Sequence, residues 1–284
     1  MTQPLRLLPV EPSYFPWRSH RIAQYSAGAG RPLLLVHSIN AAASAFEMRG
    51  PFAGLSDSYA VHALDLLGYG NSDRPARQHS ADDYIDQLLI ALTAIGEPAS
   101  IVASSLSAAY TIIVAARRPE LVRSLVLLCP TGIERLADPP GPVAWAVYKA
   151  LLSPVGRTVY RGLTSRQGTR LFLAQQAYHD PHAITDDVLD GFYSACRRPG
   201  AYYAPICFLT GLLNCAVRAA FASLRMPTLI VWGAQAITTP VGDAQAFLAA
   251  NPHARLEVVD QASLLVQDER PIPFNNLVRR FLEP

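Results

Sequence analysis

Short unbroken apolar runs alternate with helix-patterned segments at both ends of this chain, and a strand-free middle separates the two ends. Residues 32–36 read Pro-Leu-Leu-Leu-Val. A strand buried on both faces shows such a run instead of strict alternation. Residues 59–66 form a second run, closed by the turn signal Gly68-Tyr69-Gly70. Residues 81–95 place Tyr84, Leu88, Leu89, Leu92 and Ile95 along one side of a helix. Residues 100–103 and 123–129 read as further strands, with a helix over 106–117 between them. Near the end, 227–232 and 255–259 are strand-like, and 242–250 and 273–282 helix-like. This order predicts an α/β fold whose sheet is mostly parallel, with helices on both faces.

The middle, 131–225, has no convincing strand pattern. It opens with Pro139-Pro140-Gly141-Pro142 and then carries helix-like stretches rich in aromatics, among them Trp145, Tyr148, Tyr160, Phe172, Tyr178, Phe192, Tyr202, Tyr203 and Phe208. The segment 143–152 is apolar nearly all round, so it is expected to be buried between layers or to face an apolar ligand. The predicted organisation is a core made of 1–132 and 223–284, with an inserted helical cap over 133–222. A chain of 284 residues, half of them hydrophobic, is long enough for a core of this kind.

Composition excludes several functions. Net charge is +2, and the 24 basic residues, of which Lys149 is the only lysine, are scattered. A nucleic-acid binder usually shows a basic stripe, so no nucleic-acid partner is expected. The cysteines Cys129, Cys196, Cys207 and Cys215 lack zinc-type spacing. Residues 1–10 show no long apolar signal region. Reduced thiols and a cytoplasmic location are the expectation. The uncharged-looking stretch 199–217 is interrupted by Pro199, Gly200, Pro205 and Asn214, so no transmembrane segment is expected. No metal or cofactor motif is present: Gly68-x-Gly70 lacks the third glycine and downstream acid of a dinucleotide site.

Chemistry concentrates at Ala103-Ser104-Ser105-Leu106-Ser107, between a strand and a helix. A serine on a tight strand-to-helix turn requires small residues two before and two after it, or the two elements collide. The usual glycines are here Ala103 and Ser107. On this segment alone, Ser105 is either such a nucleophile or a cap of the following helix.

Together with other segments, this turn resembles the α/β-hydrolase superfamily over nearly the whole chain. His37-Ser38-Ile39-Asn40 stands where that superfamily usually has His-Gly. The stretch Asp65-Leu66-Leu67-Gly68-Tyr69-Gly70-Asn71-Ser72-Asp73-Arg74-Pro75 is close to its Asp-x-x-Gly-x-Gly-x-Ser-x-x-Pro turn. Residues 227–233 with Thr239-Pro240 resemble the strand that delivers the catalytic acid, and Gln267-Asp268-Glu269-Arg270-Pro271 the segment just beyond the catalytic histidine. The resemblance implies Ser105 as nucleophile and an oxyanion hole formed by the backbone N–H of Leu106 and that of Ile39. Ser104 is a further candidate contact, and His37 is expected to brace backbone.

The pattern breaks at two of its positions. Ala236 stands where the resemblance places the acid, and Leu264 where it places the histidine. No histidine follows His253, and the alternative acid position, Cys129-Pro130-Thr131-Gly132, offers no carboxylate. A serine hydroxyl is a poor nucleophile without a base, and removing triad members typically lowers turnover by roughly 10⁴ to 10⁶. The sequence therefore favours a protein that binds an apolar small molecule under its cap without hydrolysing it, either for cyclisation, elimination or isomerisation or as a binder only. The alternative is an esterase or lactonase that uses Ser105 with a base recruited from His37, His179 or His182. An apolar cap docking on a partner or membrane is a further reading.

Overall fold

The computed structural model describes residues 4–283, so the reading of the first ten residues lies outside it for residues 1–3. Eight strands form one sheet in the order β1-β2-β4-β3-β5-β6-β7-β8. They are β1 (Ser13–Trp17), β2 (His20–Ala27), β3 (Pro32–Val36), β4 (Ala60–Asp65), β5 (Ala99–Ser104), β6 (Val122–Leu128), β7 (Thr228–Gly233) and β8 (Arg255–Val259). From β4 to β8 all neighbours pair in parallel, and every residue of β3, β5 and β7 is buried.

The hairpin β1–β2 has no counterpart in the sequence reading. It pairs antiparallel within itself and onto β4. β1 is an outer strand, mostly solvent-facing, and holds Pro16, which an edge strand tolerates. Neither an unbroken apolar run nor clean alternation marks such a strand.

Helices α1 (Arg49–Leu55), α2 (Ala81–Ile95) and α3 (Leu106–Arg117) cover the sheet between the early strands. α2 begins with a reciprocal capping box between Ser80 and Asp83. Between β6 and β7 every regular element is helical: α4 (Pro142–Leu152), α5 (Pro154–Leu163), α6 (Arg166–Phe172), α7 (Asp186–Cys196), α8 (Tyr203–Leu209) and α9 (Arg218–Ser223), with short 3-10 and π turns. α9 leaves this insertion to pack on α3 and on α10 (Ala244–Ala250), where the Phe221 and Phe247 rings meet edge to face at 5.4 Å. The chain closes with α11 (Val266–Glu269) and α12 (Pro271–Leu282).

One expectation is overturned. The 143–152 helix is neither buried nor cavity-facing: Val143 is 77% and Val147 44% exposed, and only Tyr148 is buried. α4 lies on the outside of the insertion and packs on α5 and α8 along one narrow strip. A period count cannot reveal that nothing among the described residues covers the remaining circumference.

The Asp65–Pro75 turn is built for structure. The Asp65 carboxylate accepts from Tyr25 Oη (2.8 Å), Ala45 N (2.7 Å) and Asn71 N (2.7 Å). A Cβ on Gly70, at φ +45°, would lie 1.9 Å from that carboxylate, so only glycine closes this loop.

Candidate active site

Between β5 and α3 the backbone turns sharply at Ser105, with φ 54° and ψ −123°. A non-glycine residue held there stores about 1–3 kcal/mol of strain. The turn is fixed by Ser105 N–H donating to Leu128 O (2.8 Å) and by Ala108 N–H donating to Ser105 O (3.1 Å). Ala103 and Ser107 on either side are fully buried. The Ser105 side chain makes no capping bond to α3, so of the two readings of this serine the helix cap is not what the geometry supports.

Ser105 opens into a cavity of about 470 Å³ at the C-terminal ends of the strands, the usual ligand position of open α/β sheets. Ser38, Ile39 and Asn40 after β3, Thr131, Arg135 and Leu136 after β6, Thr238 and Thr239 after β7, and Leu264 after β8 form its walls. Phe172, Gln176 and Phe208 of the helical insertion close it from above. Ser105, Ile39 and Leu264 are thus brought together. Ser104, Leu106, His37 and Ala236 are not on the wall. Ser104 is buried, its hydroxyl without a partner among the described residues, and does not act as a cavity contact. Leu106 can contribute only its backbone, as the first residue of α3.

His37 is fully occupied. Its Nδ1–H donates to Ser38 O (2.6 Å), and its Nε2 accepts from Leu66 N–H (3.1 Å). Burial pushes its pKa down, opposed by the charge of Asp65. It therefore braces the loop as a neutral ring. His179 and His182 are exposed and off the cavity wall. Neither histidine nor carboxylate occurs among the residues that line the cavity. Ala236 follows β7, buried, in a loop held by Trp232 Nε1–H donating to Thr239 O (2.7 Å). Asp243, the nearest downstream carboxylate, is engaged by Arg135 Nε at 2.6 Å.

Glu47 shapes the site without lining it. It is fully buried and accepts from Ser38 N–H (2.8 Å), Ser38 Oγ (2.9 Å) and Asn40 Nδ2 (3.1 Å). It thereby fixes the loop that carries Ile39. Burial pushes its carboxyl up to about 7, against the pull of those hydrogen bonds. A carboxyl raised in this way keeps its proton in the folded state where the unfolded chain has lost it. Its contribution to stability therefore falls as pH rises from about 4.5 to about 7. Glu47→Gln should remove that slope, read as the difference in denaturant-unfolding free energy between wild type and variant across this window. An unchanged difference would contradict the buried, raised carboxyl.

The acids of Gln267-Asp268-Glu269 also serve as pins. Glu269 accepts from the backbone N–H of His179 (2.8 Å), Asp180 (2.7 Å) and Ser263 (2.9 Å), joining the insertion to the loop that bears Leu264. Asp268 pairs with Arg49 Nη1 at 2.8 Å and accepts from Tyr178 Oη. Sequence reading gave no sign of Glu47 or Arg135, whose roles arise from contacts between distant loops.

Comparison with known proteins agrees with this architecture. An uncharacterized protein of Mycobacterium tuberculosis is 27% identical over 277 residues, covering 93% of this chain and 79% of its own length. The 2-hydroxymuconate semialdehyde hydrolase of Pseudomonas sp. strain CF600 is 26% identical over 269 residues, with 91% and 89% covered. A crystal structure of a serine hydrolase involved in carbazole degradation superposes with a TM-score of 0.79 at 21% identity, covering 96% of this chain and 98% of that one. The alpha/beta hydrolase family profile matches residues 33–277, and the chain belongs to that family.

Proposed function

We propose that the protein is a serine hydrolase acting at a carbonyl carbon of a small, largely apolar compound held between the sheet and a helical cap. Ser105 is the attacking hydroxyl, and the N–H groups of Leu106 and Ile39 receive the developing oxyanion. The observation that carries this reading is the strained Ser105 turn opening into the same cavity as the Ile39 loop. The hydrolase names of the relatives favour it over a non-hydrolytic reaction. Three of the four insertion and β8-side residues Phe172, Phe208, Gln176 and Leu264 are apolar, which suits an apolar ligand.

With Ala236 and Leu264 at the acid and histidine positions, the triad is degenerate in this reading, and the proton of Ser105 must leave to water or to the substrate. A substrate with its own basic oxygen beside the attacked carbon, such as an enolate or carboxylate, supplies an acceptor. Arg135, the cation on the wall, is paired with Asp243, and such an anion would have to share it with that carboxylate. The second reading, binding or rearrangement without hydrolysis, is favoured by the lining itself: Leu264 is on the wall of the Ser105 cavity, and no histidine is. Treatment with a fluorophosphonate, followed by intact mass and peptide mapping, separates the two. Hydrolysis predicts one adduct on Ser105 that is absent in Ser105→Ala. No adduct, together with undiminished turnover of a substrate by Ser105→Ala, would sink the hydrolase reading.

A further inference from the structure

Large apolar side chains exposed one at a time need no explanation, but those of the helical insertion are ordered. Val155, Val159 and Leu163 recur every fourth residue of α5, and all are more than half exposed, Val155 at 73%. α4, packed on α5, adds Val143, Trp145 and Val147. A second group lies next in the chain to residues of the Ser105 cavity wall. Leu171, Leu209 and Ile237 are each more than half exposed, and each is the chain neighbour of a wall residue: Phe172, Phe208 and Thr238.

Charge is ordered as well. From 139 to 179 there is no Asp or Glu, whereas Lys149, Arg157, Arg161, Arg166 and Arg170 fall in that stretch. Arg166 and Arg170 are engaged by Asp186 and Asp190 of α7. Arg157 and Arg161 instead lie one helical turn apart on the other flank of α5. With Arg197 they line a separate cavity of about 310 Å³, on whose wall Arg198 also lies, donating to Asn71 Oδ1 (3.3 Å). Arg157 sits over the Tyr202 ring, 4.9 Å from its centre.

We propose that this face of the insertion docks on an anionic lipid bilayer. The α5 stripe enters the acyl boundary, and Arg157 and Arg161, on the opposite flank of the helix, reach the anionic headgroups with their long side chains. A helix with apolar residues along one flank and arginines along the other lies in such an interface, and anionic headgroups attract each nearby arginine. A second copy of the chain is the poorer occupant, because a two-fold contact would set the same arginines against themselves. The proposal does not depend on what Ser105 does.

Flotation of the purified protein with vesicles of phosphatidylcholine and phosphatidylglycerol, against vesicles of phosphatidylcholine alone, tests it. The wild type should float with the anionic vesicles only, and binding should fall about tenfold or more on raising the salt to several times the physiological level. Val155→Asp/Val159→Asp and Arg157→Gln/Arg161→Gln should each lose at least about tenfold. Aspartate at 155, in the first turn of α5, favours the helix, and both pairs are exposed, so melting close to that of the wild type is expected. Ile272→Asp, at an exposed site on α12, should float as the wild type does. Three results overturn the proposal: no flotation with anionic vesicles, flotation that both double variants retain, or a dimer in light scattering that Val159→Asp turns into a monomer.

Discussion

The double variant Ala236→Asp/Leu264→His is expected to hydrolyse a p-nitrophenyl ester at least about 10²-fold faster than the wild-type chain. Leu264 lines the cavity that Ser105 enters, on the loop after β8, and Ala236 lies on the loop after β7. On the proposed reading, a histidine at 264 would supply a base to the cavity that Ser105 enters, and an aspartate at 236 would set its tautomer and stabilise its charged form. Intact triads contribute about 10⁴ to 10⁶ in turnover, and one installed by two substitutions recovers only part, because its neighbours are not arranged to orient it. Adding Ser105→Ala to the double variant should return the rate to background. A gain that survives Ser105→Ala would mean that the new histidine acts alone. No gain, in a variant that melts like the wild type, would mean that positions 236 and 264 do not face Ser105 in the required order.

The largest stability effect is expected at Asp268. Its carboxylate is nearly sealed from solvent and receives Arg49 and the Tyr178 hydroxyl, so it ties α1, the helical insertion and the C-terminal helices at one point. Arg49 also lies over the Phe46 ring, 4.1 Å from its centre. Asp268→Ala leaves a mostly buried guanidinium unpaired, and breaking one side of such a pair typically costs about 3–5 kcal/mol. In a chain of this size that lowers Tm by about 10 °C. Burial raises the Asp268 carboxyl to about 6 despite the neighbouring Arg49, so desolvation is already a large part of the balance here. Replacing both partners, Arg49→Met/Asp268→Leu, should therefore restore a good part of the loss. Thermal melts of the single and double variants decide the matter, and a double variant no better than Asp268→Ala would count against the pair as the source.

Much of the sheet was legible because β3, β5 and β7 are buried on both faces and so read as unbroken apolar runs. α2 was legible because Tyr84, Leu88, Leu92 and Ile95 recur at helical spacing, and its capping box between Ser80 and Asp83 became apparent only in the fold. The β1–β2 hairpin was not, since a half-exposed edge strand has no such run. α4 misled in the opposite sense: its composition asked for a cover that its place in the fold does not supply. At the site, the strand–serine–helix order gave Ser105, because the demand for small neighbours is written within five residues. Glu47 could not be found in this way. Its meaning depends on a loop, Ser38 to Asn40, that reaches it only after folding. The Gln267-Asp268-Glu269 stretch was recognisable as a marker, but its work as a double anchor becomes apparent only beside Arg49, Tyr178 and the backbone at 179–180.

The exposed face of α4 also bears Lys149, the one lysine side chain of this sequence. Every other side-chain cation is an arginine, which amine-directed reagents leave untouched. Apart from the chain's own terminus, such a reagent finds a single address, on the exposed face of α4. A fluorophore coupled there would report on that helix alone, its colour following the polarity around it. The arginine-for-lysine bias thus leaves the molecule with a natural point of attachment for watching this helix in solution, without a single engineered cysteine.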